Sequence, residues 1–209
     1  MSKLKLEQRV IGMVSTNVYL AINKETSECF LVDPADRADY IEDWIQQNKY
    51  TLKGILLTHG HFDHIGAVSE LRKKYQVPVY CHESEKAILE DSVLNLSANW
   101  TGAFTAKCDI MLKDEEQFEL AGFKIIAYHT PGHTKGGACY YLPEEEVLFS
   151  GDTIFCRSIG RTDFPTGNMR ELVTSLKRMT ELLPENTVVF PGHEASTTIG
   201  DEKMYNPYI

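Results

Sequence analysis

The sequence has no C-x-x-C pair, no run of Lys or Arg, and no apolar stretch approaching the roughly 20 residues that span a bilayer. Each absence removes a class of protein. Five cysteines, Cys29, Cys81, Cys108, Cys139 and Cys156, form an odd and scattered set, which excludes a disulfide framework or a Cys-rich zinc site and leaves reduced thiols packing as small hydrophobes. With 30 acidic against 21 basic residues the net charge is −9, which repels a phosphate backbone, so no nucleic-acid partner is expected. No membrane partner is expected either. The opening Met1-Ser-Lys-Leu-Lys-Leu6 alternates polar and apolar residues where a secretory leader would carry an apolar block, so it reads as a strand of a cytoplasmic protein. G-x-S-x-G, the P-loop and G-x-G-x-x-G are all missing, which removes the usual signatures of serine hydrolases, NTPases and dinucleotide enzymes.

What is present is a chain of 209 residues, 43% hydrophobic, read as one domain over residues 1–209. Strands are predicted at Val18–Ile22, Cys29–Val32, Ile55–Thr58 and Val77–Tyr80. Ile41, Trp44 and Ile45 mark a helix over Asp39–Asn48, and Asp63 is predicted to cap a single helix running to about Tyr75. After an irregular stretch over Asp91–Lys107, further strands are predicted at Asp109–Leu112, Phe123–His129, Ala138–Leu142, Val147–Ser150 and Val188–Phe190. Before the last of these, Asn168 caps a helix faced by Leu172, Val173, Leu176, Met179 and Leu183. Antiparallel runs dominate each half in this reading, which favours an α/β architecture of two mixed sheets face to face, with helices outside.

The chemistry is concentrated in His59-Gly60-His61-Phe62-Asp63-His64, directly after the apolar run Ile55-Leu56-Leu57. Imidazole and carboxylate suit a borderline divalent metal, and a loop leaving a buried strand can aim alternate side chains at one point. Three later strand ends carry His133, Asp152 and His193, each beside a glycine that lets the backbone approach an ion closely. The seven side chains divide into His59, His61 and His133 for one metal and Asp63, His64 and His193 for a second, with Asp152 bridging. Asp33, at another strand end, is placed to orient a ligand histidine. His82 and His129 read as ordinary packed residues.

H-x-H-x-D-H followed by isolated His, Asp and His on strand ends resembles the metallo-β-lactamase superfamily, from about Asn17 to His193. Gly151–Phe155 and Ser158–Pro165 resemble the short, single-domain bacterial glyoxalase II-type hydrolases (hydroxyacylglutathione hydrolases). The resemblance implies an αββα sandwich with the metals at one edge. It also implies a dinuclear hydrolase that holds two divalent ions, zinc first with iron or manganese as alternatives. Paired ions lower the pKa of a bridging water toward 7, and the resulting hydroxide would attack a thioester carbonyl such as that of S-lactoylglutathione. Asp152 would set the ion separation and Asp63 would steer the water. Larger glyoxalase II enzymes add a helical domain after the last metal histidine to bind glutathione, whereas 16 residues follow His193 here, so no C-terminal helical substrate domain is expected. Arg161 stands where those enzymes have a lysine near the thiol carrier; it either grips a substrate carboxylate or pairs with Asp163. The aromatic tail Tyr205–Ile209 is expected to pack back on the sandwich.

Two other readings stay open on the same residues. Persulfide dioxygenases resemble the hexad and the Gly160–Phe164 segment but use one iron; the residue before the hexad aspartate is usually small there, and here it is Phe62. A non-catalytic metal scaffold would be marked by a degraded ligand set, and this set is complete. Without a secretory leader, an antibiotic-degrading β-lactamase is not expected.

Overall fold

A computed structural model describes residues 2–209. The first half supplies strands β1 (Leu4–Ile11), β2 (Thr16–Asn23), β3 (Glu28–Val32), β4 (Thr51–Leu56), β5 (Val79–His82) and β6 (Ile110–Leu112). Between them lie helices α1 (Ala38–Gln47), α2 (Phe62–Ile65), α3 (Val68–Tyr75), α4 (Lys86–Leu89) and α5 (Ser97–Trp100). The second half supplies β7 (Glu116–Leu120), β8 (Phe123–His129), β9 (Ala138–Leu142), β10 (Val147–Gly151), α6 (Met169–Leu182), β11 (Val188–Pro191), β12 (Thr197–Thr198) and α7 (Ile199–Tyr205).

The strands form two six-stranded sheets, one in the order β1-β2-β3-β4-β5-β6 and one in the order β12-β11-β10-β9-β8-β7. The pleat explains how they stack. Along β2, Val18, Leu20 and Ile22 join a core with Ile41 and Ile45 of α1 and Leu71 of α3, while Tyr19 and Ala21 face the opposite sheet. Phe30 meets Phe123 and Phe149 across that inner gap at ring separations of 6.0 and 6.1 Å. On the far side, Cys139 and Leu148 pack against Leu172, Leu176 and Met179 of α6. Buried on both faces, β2 and β9 carry no exposed residue, and each fully buried aliphatic side chain there contributes about 1.5–3 kcal/mol. The result is the four-layer αββα sandwich. Among the described residues no helix is long and apolar enough to cross a membrane, and all five cysteines are free.

Three expectations need correction. Antiparallel pairing dominates the second sheet only; in the first, β3-β4, β4-β5 and β5-β6 are all parallel, because helical crossovers return the chain to the same end. The single helix expected over Asp63–Tyr75 is broken at Gly66. There the backbone lies so close to Ala35 that a Cβ would sit 2.2 Å from its carbonyl oxygen, and Gly66 and Ala67 donate to Ala35 and Pro34 instead of to their own helix. Asp63 is not the cap: His61 holds that position, and the Asp63 carboxylate turns instead to the Thr16 hydroxyl at 3.1 Å. Beyond these three, the aromatic tail does not pack back as expected: Tyr205, Tyr208 and Ile209 stay exposed, and only Asn206 of Tyr205–Ile209 is buried, after Ile199 and Glu202 of α7, which pack inward. The Asn168 cap forms as expected, accepting from the amides of Arg170 and Glu171.

Candidate metal centre

Topology brings the chemistry to one edge. β3 and β4 run parallel, as do β10 and β11, and two antiparallel steps give β8 the direction of β10. Carboxyl ends of strands in both sheets therefore meet where the sheets open. There β3 delivers Asp33, β4 the hexad, β8 His133, β10 Asp152 and β11 His193. β2 begins at the same edge, and its Asn17 amide donates to the Gly192 carbonyl at 2.7 Å. The Asn17 side chain holds the carbonyls of Pro191 and Glu194, and the Tyr19 hydroxyl donates to Pro191 at 2.6 Å, clamping the His193 loop to the opposite sheet.

All seven side chains named from the sequence come together. They form three overlapping groups with donor atoms within 4.8 Å of one another: His59, His61 and His133; His59, His64 and Asp152; and Asp63, His64 and His193. His133 Nε2 lies 2.9 Å from His61 Nδ1 and 3.2 Å from His59 Nε2, and His64 Nε2 lies 3.4 Å from His193 Nε2. Donors about 2.0–2.1 Å from a tetrahedral ion sit roughly 3.3–3.4 Å apart, so these spacings are those of ligands around a common centre. Asp152 reaches His64, His133 and His193 at 3.5, 3.4 and 3.6 Å, touching every group without hydrogen-bonding through Oδ1, which is buried and unpartnered. A buried carboxylate oxygen without a donor is costly unless a cation faces it. The donor set therefore fits divalent metal ions. His82 and His129 belong to none of the three groups; their rings stack on each other at 3.9 Å.

The electrostatics divide the donors, lowering His59, His61 and His133 and raising His64 and His193. Burial and the neighbouring imidazoles push His59 and His61 well below the usual histidine range, which keeps them neutral, the form a metal requires. For His64 burial acts in the same direction, but Asp63, Asp152 and Asp33 outweigh it and raise the group. Burial would likewise raise Asp63, yet the imidazoles of His64 and His193 hold it far below the usual carboxylate range. The orienting contacts are equally definite. Asp33 Oδ2 meets His64 Nδ1 at 3.0 Å and accepts from the Thr58 hydroxyl, which in turn lies 3.2 Å from His59 Nδ1. The Arg161 carbonyl meets His133 Nδ1 at 2.7 Å.

Glu85 went unread in the sequence. Fully buried, it accepts from the Gly60 amide at 2.7 Å and from Thr134 Oγ1 and the Gly136 amide at 3.0 and 2.8 Å, tying the hexad loop to the His133 loop. Only its place in the amphipathic turn after β5 hinted at burial, and a glutamate there reads as surface. Burial pushes its pKa up from 4.5 to about 7, against the pull of the three donors. A folded-state value above the unfolded one means the folded chain binds the proton more tightly. Its contribution to stability is therefore greatest below about 4.5 and is lost as the pH rises through about 7. Measured by thermal unfolding of metal-free protein, the stability of the wild type relative to Glu85→Gln is expected to fall by on the order of 3 kcal/mol across that window. A pH-independent gap between the two proteins would contradict it.

The donors line a cavity of about 760 Å³, with His61, Asp63, His133, Asp152 and His193 on its wall and His59 and His64 buried behind them. Arg161 lines it too, but its guanidinium fork is taken: Nε and Nη2 donate to the Asp163 carboxylate at 2.7 and 2.6 Å, and the group lies 3.9 Å over the Phe164 ring.

Residues 11–193 match the metallo-beta-lactamase superfamily domain, a span that contains every one of these side chains. The chain belongs to the metallo-beta-lactamase superfamily. Within it, the chain is 36% identical to the probable metallo-hydrolase YqgX of Bacillus subtilis, over 99% of this chain and 98% of that protein. It is 36% identical to the hydroxyacylglutathione hydrolase GloC of Haemophilus influenzae, over 86% of each. Among solved structures, BLEG-1 B3 metallo-beta-lactamase superposes with a TM-score of 0.92 at 41% identity, covering 98% of this chain and 99% of that one. TTHA1623 in a di-iron-bound form superposes with a TM-score of 0.83 at 35% identity, covering 97% and 100%. The glyoxalase II-like relationship expected from the Gly151–Pro165 region thus has a named relative, and this superfamily member has the metallo-hydrolase architecture.

Proposed function

We propose that the protein is a dinuclear metallohydrolase acting on thioesters, with His59, His61 and His133 holding one ion, Asp63, His64 and His193 the other, and Asp152 between them. The convergence of seven donors at one cavity, five on its wall and two buried behind them, with Asp152 Oδ1 unpartnered, carries this reading. Held by these residues, two divalent ions, zinc first by the chemistry of the donors, would supply an activated water at neutral pH and Lewis-acid polarisation of an acyl carbonyl. The chain's own part is preorganisation. Asp33 and the Arg161 carbonyl fix the ring orientations of His64 and His133, Asp152 sets the separation of the two groups, and Asp63, anchored by Thr16, faces the cavity beside them. The products would be a carboxylate and a thiolate, which leaves without full protonation because thiols are acidic for leaving groups.

A second reading has specific support, since BLEG-1 is named a B3 metallo-beta-lactamase and amide hydrolysis asks the same of the site. One experiment separates the readings. Purified protein is analysed for metal, then assayed with a panel of thioesters that includes S-lactoylglutathione, with a chromogenic cephalosporin, and with glutathione persulfide under an oxygen electrode. The expected result is two metals per chain and thioester turnover that a chelator abolishes and added zinc restores. One iron with stoichiometric oxygen uptake would establish a dioxygenase, preferential cephalosporin turnover a β-lactamase, and inertness of the metal-replete protein a binding scaffold.

A further inference from the structure

The cavity walls carry little that recognises charge. Among the described residues lining it, Arg161 is the sole Lys or Arg, and its fork is closed by Asp163. Glu194 adds an acid on the His193 side. Metal donors apart, the rest of the lining is uncharged, with Gln8, Ser15, Asn17 and Ser158 set among apolar side chains. Val10, near the end of β1, and Val14, in the β1-β2 turn, both line the cavity and are 61% and 39% exposed. Trp100, which lines the same cavity, is 53% exposed and stacks in parallel on Phe62, with ring centroids 6.1 Å apart and planes 7° from parallel. Phe155 and Phe164 continue the apolar lining on the side of Asp152 and Arg161.

A peptide thiol such as glutathione brings two carboxylates and an ammonium. Among the described residues lining the cavity no unpaired Lys or Arg would receive the carboxylates, and a charge desolvated without a partner costs heavily. An aromatic or aliphatic group on the thiol side would instead cover Val10, Val14 and the Phe62–Trp100 stack, removing apolar surface from water at both partners. From this charge and surface pattern, and resting on the hydrolase reading above, we infer that the enzyme's substrates are thioesters of apolar, uncharged thiols. The step is R–CO–SR′ plus water giving R–CO2⁻, R′S⁻ and two protons: a C–O bond forms, the C–S bond breaks with its electron pair leaving on R′S⁻, and the proton lost from the attacking water and that of the acid both go to solvent.

Two esters with the same acyl group and alkyl thiols of similar leaving ability make the comparison. For the metal-loaded enzyme, kcat/KM on S-benzyl thioacetate should exceed that on S-acetylglutathione by about tenfold or more. Trp100→Ala should raise KM for the benzyl ester about tenfold at little change in kcat, and so narrow its advantage over the glutathione ester. Val14→Lys, at an exposed position, should do the reverse and improve S-acetylglutathione by supplying a free cation. Calorimetry gives a readout independent of turnover: 4-phenylbutan-2-one, the methylene isostere of the benzyl ester, should bind more tightly than S-methylglutathione. Equal or inverted preference in both assays would overturn the inference. If the ketone binds preferentially and neither ester is hydrolysed, the apolar specificity stands and the hydrolase reading falls.

Discussion

Asp152→Ala is expected to lower kcat/KM for thioester hydrolysis by about 10³-fold, some 4 kcal/mol of transition-state stabilisation, and to take bound metal below two ions per chain. Asp152 lies within 3.6 Å of a histidine from each donor group, reaching His64, His133 and His193. Its loss leaves two sets of imidazoles without the carboxylate that joins them. Folding should survive, because Asp152 Oδ1 makes no hydrogen bond to lose. Steady-state kinetics with elemental analysis of the same preparation check the prediction. Near-normal turnover with a full metal complement would remove Asp152 from the centre.

Gly192→Ala should be nearly as damaging although Gly192 ligates nothing. A Cβ at that position would sit 2.2 Å from Asp152 Oδ1 and 2.7 Å from His64 Cε1, one atom from each of two donor residues. The backbone cannot retreat, since the Gly192 amide donates to the Gly151 carbonyl at 2.8 Å and its own carbonyl accepts from Asn17 at 2.7 Å. The added methyl must displace the carboxylate or the imidazole by an ångström or so, a misplacement that costs about 10²-fold in rate. Overpacking should also lower stability by about 1–3 kcal/mol. Kinetics and thermal unfolding of the variant test both parts together, and a fully active Gly192→Ala enzyme would show that the site is looser than these distances allow.

Much of this was legible in the chain itself, for a local reason. His59, His61, Asp63 and His64 lie within six residues, so chain connectivity alone places them near one another. Runs such as Val18–Ile22 and Ala138–Leu142 show their burial because both faces of the strand are apolar. β7 was missed because Glu116, Gln117 and Glu119 make it read as a polar loop; it is an edge strand, where only Phe118 and Leu120 need to face inward. The break at Gly66 could not be read either, because its cause is the Ala35 carbonyl, distant in sequence and adjacent in space. Glu85 was hidden for a like reason: its partners at Gly60, Thr134 and Gly136 are strangers to it along the chain.

Taken alone, the sequence determined the kinds of donors, their order and the strands that end in them, because side-chain chemistry and hydrophobic periodicity are properties of the chain. Only the tertiary structure decided which of two partners Arg161 takes, how Asp63 turns away from its helix, and what covers the cavity mouth. Those outcomes depend on distances between segments far apart in sequence, and on the cost of leaving a buried charge unpaired, neither of which a linear pattern records.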